Sequence, residues 1–187
     1  YGNESDLQNV GNGNLYWNFR NLFMKRAGLD PATVLPNANS DKIMVSVKLN
    51  GATSSVNISR SAEILSKYYY PAESNNNHGE RKKEVVIQNL AALSWEQQMK
   101  TLSTTKVLIG SNGGTSLANI WLPPHATMIL ISVGERQHLD KALWNNIPHV
   151  YVRYIHLENE SSPLEYDQLI HEVELALYKY HHHHRMD

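Results

Sequence analysis

The sequence predicts an α/β fold, a doubly wound, mostly parallel, Rossmann-like sheet with helices on both faces. Three observations carry that expectation. Short β-prone runs alternate with helix-periodic segments about five times along the 187 residues, the pattern that crossover-connected parallel strands leave in a chain. The run Val107, Leu108, Ile109 empties directly into a glycine-rich turn followed by a short helical stretch. The run at 127–133, TMILISV, is apolar almost throughout, as a strand buried on both faces requires.

Taken in order, residues 1–14 are rich in Gly and Asn without apolar periodicity, and read as a linker or surface segment. A helix is expected over 15–27, with Leu15, Phe19, Leu22, Phe23 and Arg26 at helical spacing, Gly28 as its stop and Pro31 beyond. Residues 41–48 hold Ile43, Met44, Val45 and Val47 and give the first strand. A helix over 59–70, with Ile64 and Leu65 inward, ends before Pro71, because a residue preceding proline is pushed out of the α region. The polar stretch 74–81 reads as a surface loop, and Val85, Val86 and Ile87 mark the second strand.

Ser94 followed three residues later by Gln97 matches a capping box and starts a helix that runs to 102. The third strand, the glycine-rich turn and a helical stretch over 115–121 follow, the last stopped by Pro123 and Pro124. After the fourth strand come a short helix over 139–146, a strand over 149–155 and an amphipathic helix over 163–180. That helix places Leu164, Leu169, Val173, Leu175 and Leu177 toward the core. Residues 15–180 therefore form one domain, and residues 181–187, which include the run His181 to His184, read as a tail.

Composition narrows the function classes. A formal net charge of −1 provides no electrostatic footprint for nucleic acid or an anionic membrane. No segment approaches the ~20 apolar residues of a membrane span, so the chain reads as a soluble domain without membrane contact. The absence of cysteine removes disulfides, zinc–thiolate sites and thiol nucleophiles together. Three sequons, beginning at Asn3, Asn57 and Asn159, permit a lumenal or secreted location.

The ligand site follows from the fold. Parallel sheets bind outside the carboxyl ends of their strands where the strand order reverses, which gives Lys48, the loop from Ser111 to Ser116 and residues 133–136 one address. The loop holds Ser111, Asn112, Gly113, Gly114, Thr115 and Ser116. The first amides of the helix after it lack internal partners and suit an anionic oxygen such as a nucleotide phosphate. The competing reading is a strand-to-helix turn whose glycines serve only backbone geometry. Lys48 or Arg60 would add positive charge, and Glu135, beyond the fourth strand, suits a ribose diol.

With these elements placed, residues 85–131 resemble the carboxyl-terminal half of the glycosyltransferase family 61 proteins. The resemblance rests on an ordered series: Ser94-Trp95-Glu96-Gln97-Gln98, then Val107-Leu108-Ile109-Gly110, then Leu117-Ala118-Asn119-Ile120-Trp121-Leu122-Pro123-Pro124, then the strand from Thr127 to Ser132. The family turn is similar to G-x-H-G-A-x-L, whereas this chain has Gly110-Ser111-Asn112-Gly113-Gly114-Thr115-Ser116-Leu117, one residue longer and without histidine. Asn112 hydrogen-bonds but carries neither a proton nor a positive charge near pH 7.

The resemblance implies the second half of a GT-B architecture, in which two Rossmann-like domains face across a cleft. It implies a nucleotide-sugar donor, with Asn119 added to the donor-binding residues, and an acceptor glycan or glycoprotein. It implies an acceptor-binding half before Tyr1 or on another chain, no bound metal or other cofactor, and a Golgi, endoplasmic-reticulum or secreted location. Two function classes follow. One is the donor-binding domain of an inverting glycosyltransferase, whose catalytic base the sequence does not identify among Glu135, His125 and His138. The other is a noncatalytic domain that keeps the fold for binding or assembly, as the missing histidine suggests. A dinucleotide-dependent oxidoreductase is set aside, because the turn lacks the G-x-G-x-x-G spacing.

Overall fold

The structure is a computed structural model, and it describes residues 13–47, 55–70, 82–111, 114–133, 149–159 and 162–183. Its elements are α1 (Gly13–Arg26), β1 (Ser40–Ser46), α2 (Ser55–Tyr69), β2 (Lys82–Gln88), a short 3₁₀ turn η1 (Leu90–Ala92), α3 (Trp95–Leu102), β3 (Val107–Ser111), a 3₁₀ helix η2 (Gly114–Trp121), β4 (Ala126–Val133), β5 (Val150–Leu157) and α4 (Tyr166–His183). The five strands form one sheet in the order β2-β1-β3-β4-β5, with every neighbouring pair parallel. The fold is thus the Rossmann-like α/β sheet that the alternation of runs predicts. The short helix expected over 139–146 lies outside the described residues.

Side-chain alternation divides the core in two. Ile43 and Val45 of β1, Val107 and Ile109 of β3, and Ile129 and Ile131 of β4 point to the face covered by α2 and α4. Met44, Leu108, Met128 and Leu130 point to the other face, under α1, α3 and η2. Because β3 and β4 are buried along almost their whole length, their sequences cannot alternate with polar residues, and they read as continuous apolar runs.

The amino ends of the central strands meet at one carboxylate. Asp41 in β1 is fully buried. It accepts from Lys106 Nζ at 2.9 Å, from Lys83 Nζ at 2.9 Å and lies 2.8 Å from His181 Nε2. Lys106 is itself 2% exposed and lies over the Tyr180 ring. Burial pushes the Asp41 carboxyl up, but the hydrogen bonds and charges of Lys83 and Lys106 outweigh it and hold the group below its ordinary value. The outer strand β2 is closed differently: the Tyr70 hydroxyl donates to Lys83 C=O at 2.6 Å and accepts from Val85 N–H at 3.2 Å. Two outward-facing backbone groups that another chain would otherwise pair with are thereby occupied.

Two expectations are corrected. Leu15, Phe19 and Leu22 do not form the inner face of α1; they are 65%, 40% and 49% exposed, while Arg20 and Met24 are buried. Apolar residues surround this helix, so its pattern admits two faces, and docking against η2 selects the one carrying Met24. The run from His181 is not a free tail either: α4 continues through His183. His181 joins Asp41 and His183 Nε2 lies 2.9 Å from the Tyr151 hydroxyl, so ring contacts and hydrogen bonds extend the helix. Residues 184–187 lie outside the described residues. On α4, Leu164, Leu169, Val173 and Leu177 are buried as expected, and Leu175 is half-buried.

Removing Asp41 leaves Lys106 buried without its carboxylate, a change that costs about 3–5 kcal/mol when a buried pair loses one partner. Asp41→Ala is expected to lower the urea midpoint by that amount of stability, while Asp167→Ala, at the exposed start of α4, leaves it nearly unchanged. Equal small effects would show that the cluster does not hold the strands.

Candidate functional site

The order β2-β1-β3 creates the reversal point. β1 leads through α2 to β2 on one side, whereas β3 pairs with β1 on the other, in the register Val45 to Ile109. Two residues past that pair, Val47 and Ser111 stand at the carboxyl edge, and a crevice opens there because the two connections leave in opposite directions. A cavity of about 410 Å³ occupies this edge on the α1/α3 side of the sheet.

Its walls come from separate parts of the chain: Ser46 and Val47 from the end of β1, Asn89 to Ala91 after β2, Trp95 and Gln98 from α3, Leu117 to Trp121 from η2 (all but Asn119), and Phe19 from α1. Local rules set each wall. The Ser94–Gln97 capping box is formed, with Gln97 N–H donating to Ser94 Oγ at 3.3 Å and Ser94 N–H donating to Gln97 Oε1 at 2.9 Å. It fixes the first turn of α3 and so the position of Trp95. Asn89 caps η1 by accepting from Ala91 N–H at 3.2 Å, and Gln98 Nε2 donates to Leu93 C=O at 3.1 Å. The amide nitrogen of Asn89 and the carbonyl oxygen of Gln98 remain as polar handles.

Aromatic rings form a corner. Trp95 and Trp121 meet edge to face at 5.5 Å and 89°, and Phe19 packs on Trp121 at 6.1 Å. Trp121 is 3% exposed and Trp95 60% exposed, giving one fixed wall and one open one. Among the described residues, no charged side chain lines the cavity. That part of the lining suits a flat neutral ring with a few hydrogen-bonding groups.

The residues expected to bind donor are distributed unevenly. Ser111 ends β3 and is buried at its margin. Gly114 and Thr115 begin η2, so the turn does lead directly into a helix. That helix is 3₁₀ rather than α, with three residues per turn. Its period puts Ser116, Asn119 and Leu122 on one buried line, 2%, 0% and 0% exposed. Asn119 is consequently enclosed in the fold and not at the cavity wall, and its amide makes no hydrogen bond among the described residues. Lys48, Asn112, Gly113, Glu135 and His138 lie outside the described residues, and Arg60 is exposed on α2.

His125 is corrected as a catalytic candidate. It precedes β4 at the amino edge, donates its N–H to His149 C=O at 2.7 Å, and stacks on His183 at 4.9 Å. The eight residues of β4 separate it from the crevice, about 26 Å at strand rise. Beside it lies a buried pair of basic groups. Arg20 is 1% exposed, hydrogen-bonded to Asn21 Oδ1 at 3.2 Å and set over the Trp17 ring at 5.0 Å. Burial lowers its pKa to about 10, so it stays charged. His149 meets Trp17 edge to face at 5.1 Å. Burial, and then the Arg20 charge, lowers its pKa to about 4, so it is neutral at pH 7.

The cavity residues Ser46, Asn89, Gln98, Trp95, Trp121 and Phe19 were not singled out as ligands by sequence. The strand-end rule points to Ser46 and Asn89 once the strands are placed; the aromatic corner becomes visible only when α1, α3 and η2 are assembled. Among the described residues, no group of His, Asp and Glu is arranged to hold a metal ion, and no helix is long and apolar enough to cross a membrane. No protein-family model and no curated protein matches the chain.

His149 sets a pH window. Its folded pKa of about 4 lies below the ordinary 6.5, so the unfolded chain binds a proton first as pH falls. The stability linked to the neutral ring is complete above pH 6.5 and is lost as pH drops toward 4. Thermal melts over that range are expected to fall less steeply for His149→Phe than for the parent chain. Parallel curves would mean that the ring accepts a proton in the folded state.

Proposed function

We propose that this chain is the nucleotide-sugar-binding half of a glycosyltransferase. The observation that carries the reading is the aromatic cavity at the reversal point, whose described lining holds no charged side chain and which is bounded by the 3₁₀ helix that follows the glycine-rich stretch. A nucleotide has a flat neutral ring at one end and a charged diphosphate at the other. The base enters the cavity against Trp95 and Trp121, with Ser46, Asn89 and Gln98 at its edge. The diphosphate lies over the turn, where backbone amides at the start of η2 supply donors. The ordered motif series resembling glycosyltransferase family 61 selects a sugar nucleotide among nucleotide ligands.

Transfer then requires a base that deprotonates the acceptor hydroxyl while the turn amides stabilise the departing nucleoside diphosphate. That base, and the acceptor glycan or glycoprotein, belong in this reading to a second GT-B half facing the crevice. The compartment is the Golgi or endoplasmic-reticulum lumen, or the cell exterior. A second reading, a noncatalytic binding domain, is favoured by one specific feature: Asn112 stands where the family turn has histidine.

Calorimetric titration with a panel of nucleoside diphosphates and their sugars tests the proposal. Saturable binding is expected, weakened about tenfold to a hundredfold by Trp95→Ala, since base–aromatic stacking contributes roughly 1–3 kcal/mol. Trp95 is largely exposed, so the variant should melt within a degree or two of the parent. The chain alone is expected to release no nucleoside diphosphate in the presence of acceptors, because holding donor and acceptor together needs both halves. Absence of nucleotide binding, or binding indifferent to Trp95, would contradict the donor-binding role.

A further inference from the structure

We propose that Arg20 of α1 and His149, just before β5, hold a single small anion of the halide class. The proposal is independent of nucleotide binding, because His149 stands at the amino edge of the sheet, at the opposite end of the strands from the cavity.

Helical spacing sets the first half of the site. Trp17, Arg20 and Met24 stand three and four residues apart and share one face of α1. Met24 joins the apolar layer that also holds Trp121 and Val150. Arg20, one turn earlier, is carried inward with it and is 1% exposed. Its guanidinium is left with few partners: Nη1 donates to Asn21 Oδ1 at 3.2 Å, and the group lies 5.0 Å over the Trp17 ring. Nε is buried and makes no hydrogen bond among the described residues. No carboxylate stands close in sequence either, since α1 contains no Asp or Glu and residues 123–128 and 149–152, around the starts of β4 and β5, contain none.

His149 supplies the second half. The bond from His125 N–H to its C=O and the pairing of Val150 with Ala126 fix its backbone against β4, and its ring meets Trp17 edge to face at 5.1 Å. The residue is 9% exposed. Both ring nitrogens are buried without a hydrogen bond among the described residues, the Ile120 backbone lying near the ring but outside hydrogen-bond geometry. The neutral imidazole offers one N–H donor.

Two buried donors and an uncompensated positive charge thus converge on the Trp17 ring. A buried guanidinium is tolerated when hydrogen bonds and a negative charge replace its lost hydration. Water would satisfy Arg20 Nε–H and leave the charge uncompensated, whereas an anion accepts from Nε–H and from the His149 N–H and neutralises the charge as well. The low exposure of both side chains restricts the ion to a small one. Bound there, it ties α1 to the start of β5.

The test is thermal melting of the full chain in potassium chloride and in potassium gluconate at equal ionic strength, with Arg20→Met as the baseline for general salt effects. Chloride is expected to raise the melting temperature saturably, by roughly 3–6 °C at tenfold excess over its Kd, because it binds the folded chain alone. Bromide should substitute for chloride. Arg20→Met removes the buried charge together with its counter-ion, an exchange that is often neutral or stabilising, so the variant should fold and melt alike in both salts. A second measurement needs no variant: crystals of the parent chain grown in bromide should show an anomalous scattering peak within hydrogen-bond distance of Arg20 Nε and a ring nitrogen of His149. Equal melting of the parent chain in chloride and gluconate, a chloride effect of the same size in Arg20→Met, or water in place of bromide at this position would overturn the proposal.

Discussion

The sheet depends on Asp41. In a parallel sheet every strand starts at the same edge, so the side chains at the beginnings of neighbouring strands are brought together whatever their chemistry. Here they are Asp41 of β1, Lys83 of β2 and Lys106 just before β3, joined by His181 from the far end of the domain. A buried ammonium such as Lys106 is tolerable only with its carboxylate. The arrangement also sets register. A slip of one residue would turn Asp41 to the other face of the sheet and take the carboxylate away from both lysines. Local order near residue 181 is tied by this contact to the first strand, 140 residues earlier.

With the amino edge closed by charge, the carboxyl edge carries the candidate site. Its two parts differ chemically. Among the described residues the cavity between η1, α3 and η2 is uncharged and aromatic, while η2 begins three residues beyond β3, and the first amides of a helix lack internal partners. Neither alone identifies a ligand: a glycine-rich turn is a common way to leave a strand, and an aromatic cavity accepts many flat groups. Their shared boundary, η2, is the ground on which a molecule with a flat neutral end and an anionic end is proposed. In the proposed reading, the resemblance to the family 61 motifs points to a sugar nucleotide and to a second half of the cleft.

The fold was legible because each strand announces itself locally. Val107 to Ile109 and Met128 to Ile131 are buried on both faces and so must be apolar in sequence, and the Ser94 capping box depends on residues only three apart. The face of α1 was not legible, since Leu15, Phe19, Leu22, Phe23 and Met24 surround the helix and only the groove beside η2 decides which pack. The role of His181 was hidden because its partner is distant in sequence. Asn119 looked like a ligand by its motif, but the three-residue period of η2 turns it inward. The strand-end rule points to the edge where the cavity lies, whereas its aromatic walls required residues from α1, α3 and η2 to converge.

The central claim is that a nucleotide binds between β1 and β3 with its base against the Trp95–Trp121 corner. The chain's four tryptophans provide a direct readout: Trp95 and Trp121 line the cavity, whereas Trp17 packs with Arg20 and His149. Nucleoside diphosphate should be titrated into protein carrying ¹⁵N-labelled indoles, with the indole N–H resonances followed by NMR. The account predicts saturable shifts at Trp95 and Trp121 with one common Kd, and a stationary Trp17. Movement at Trp17 alone, or no movement at saturating nucleotide, would contradict it.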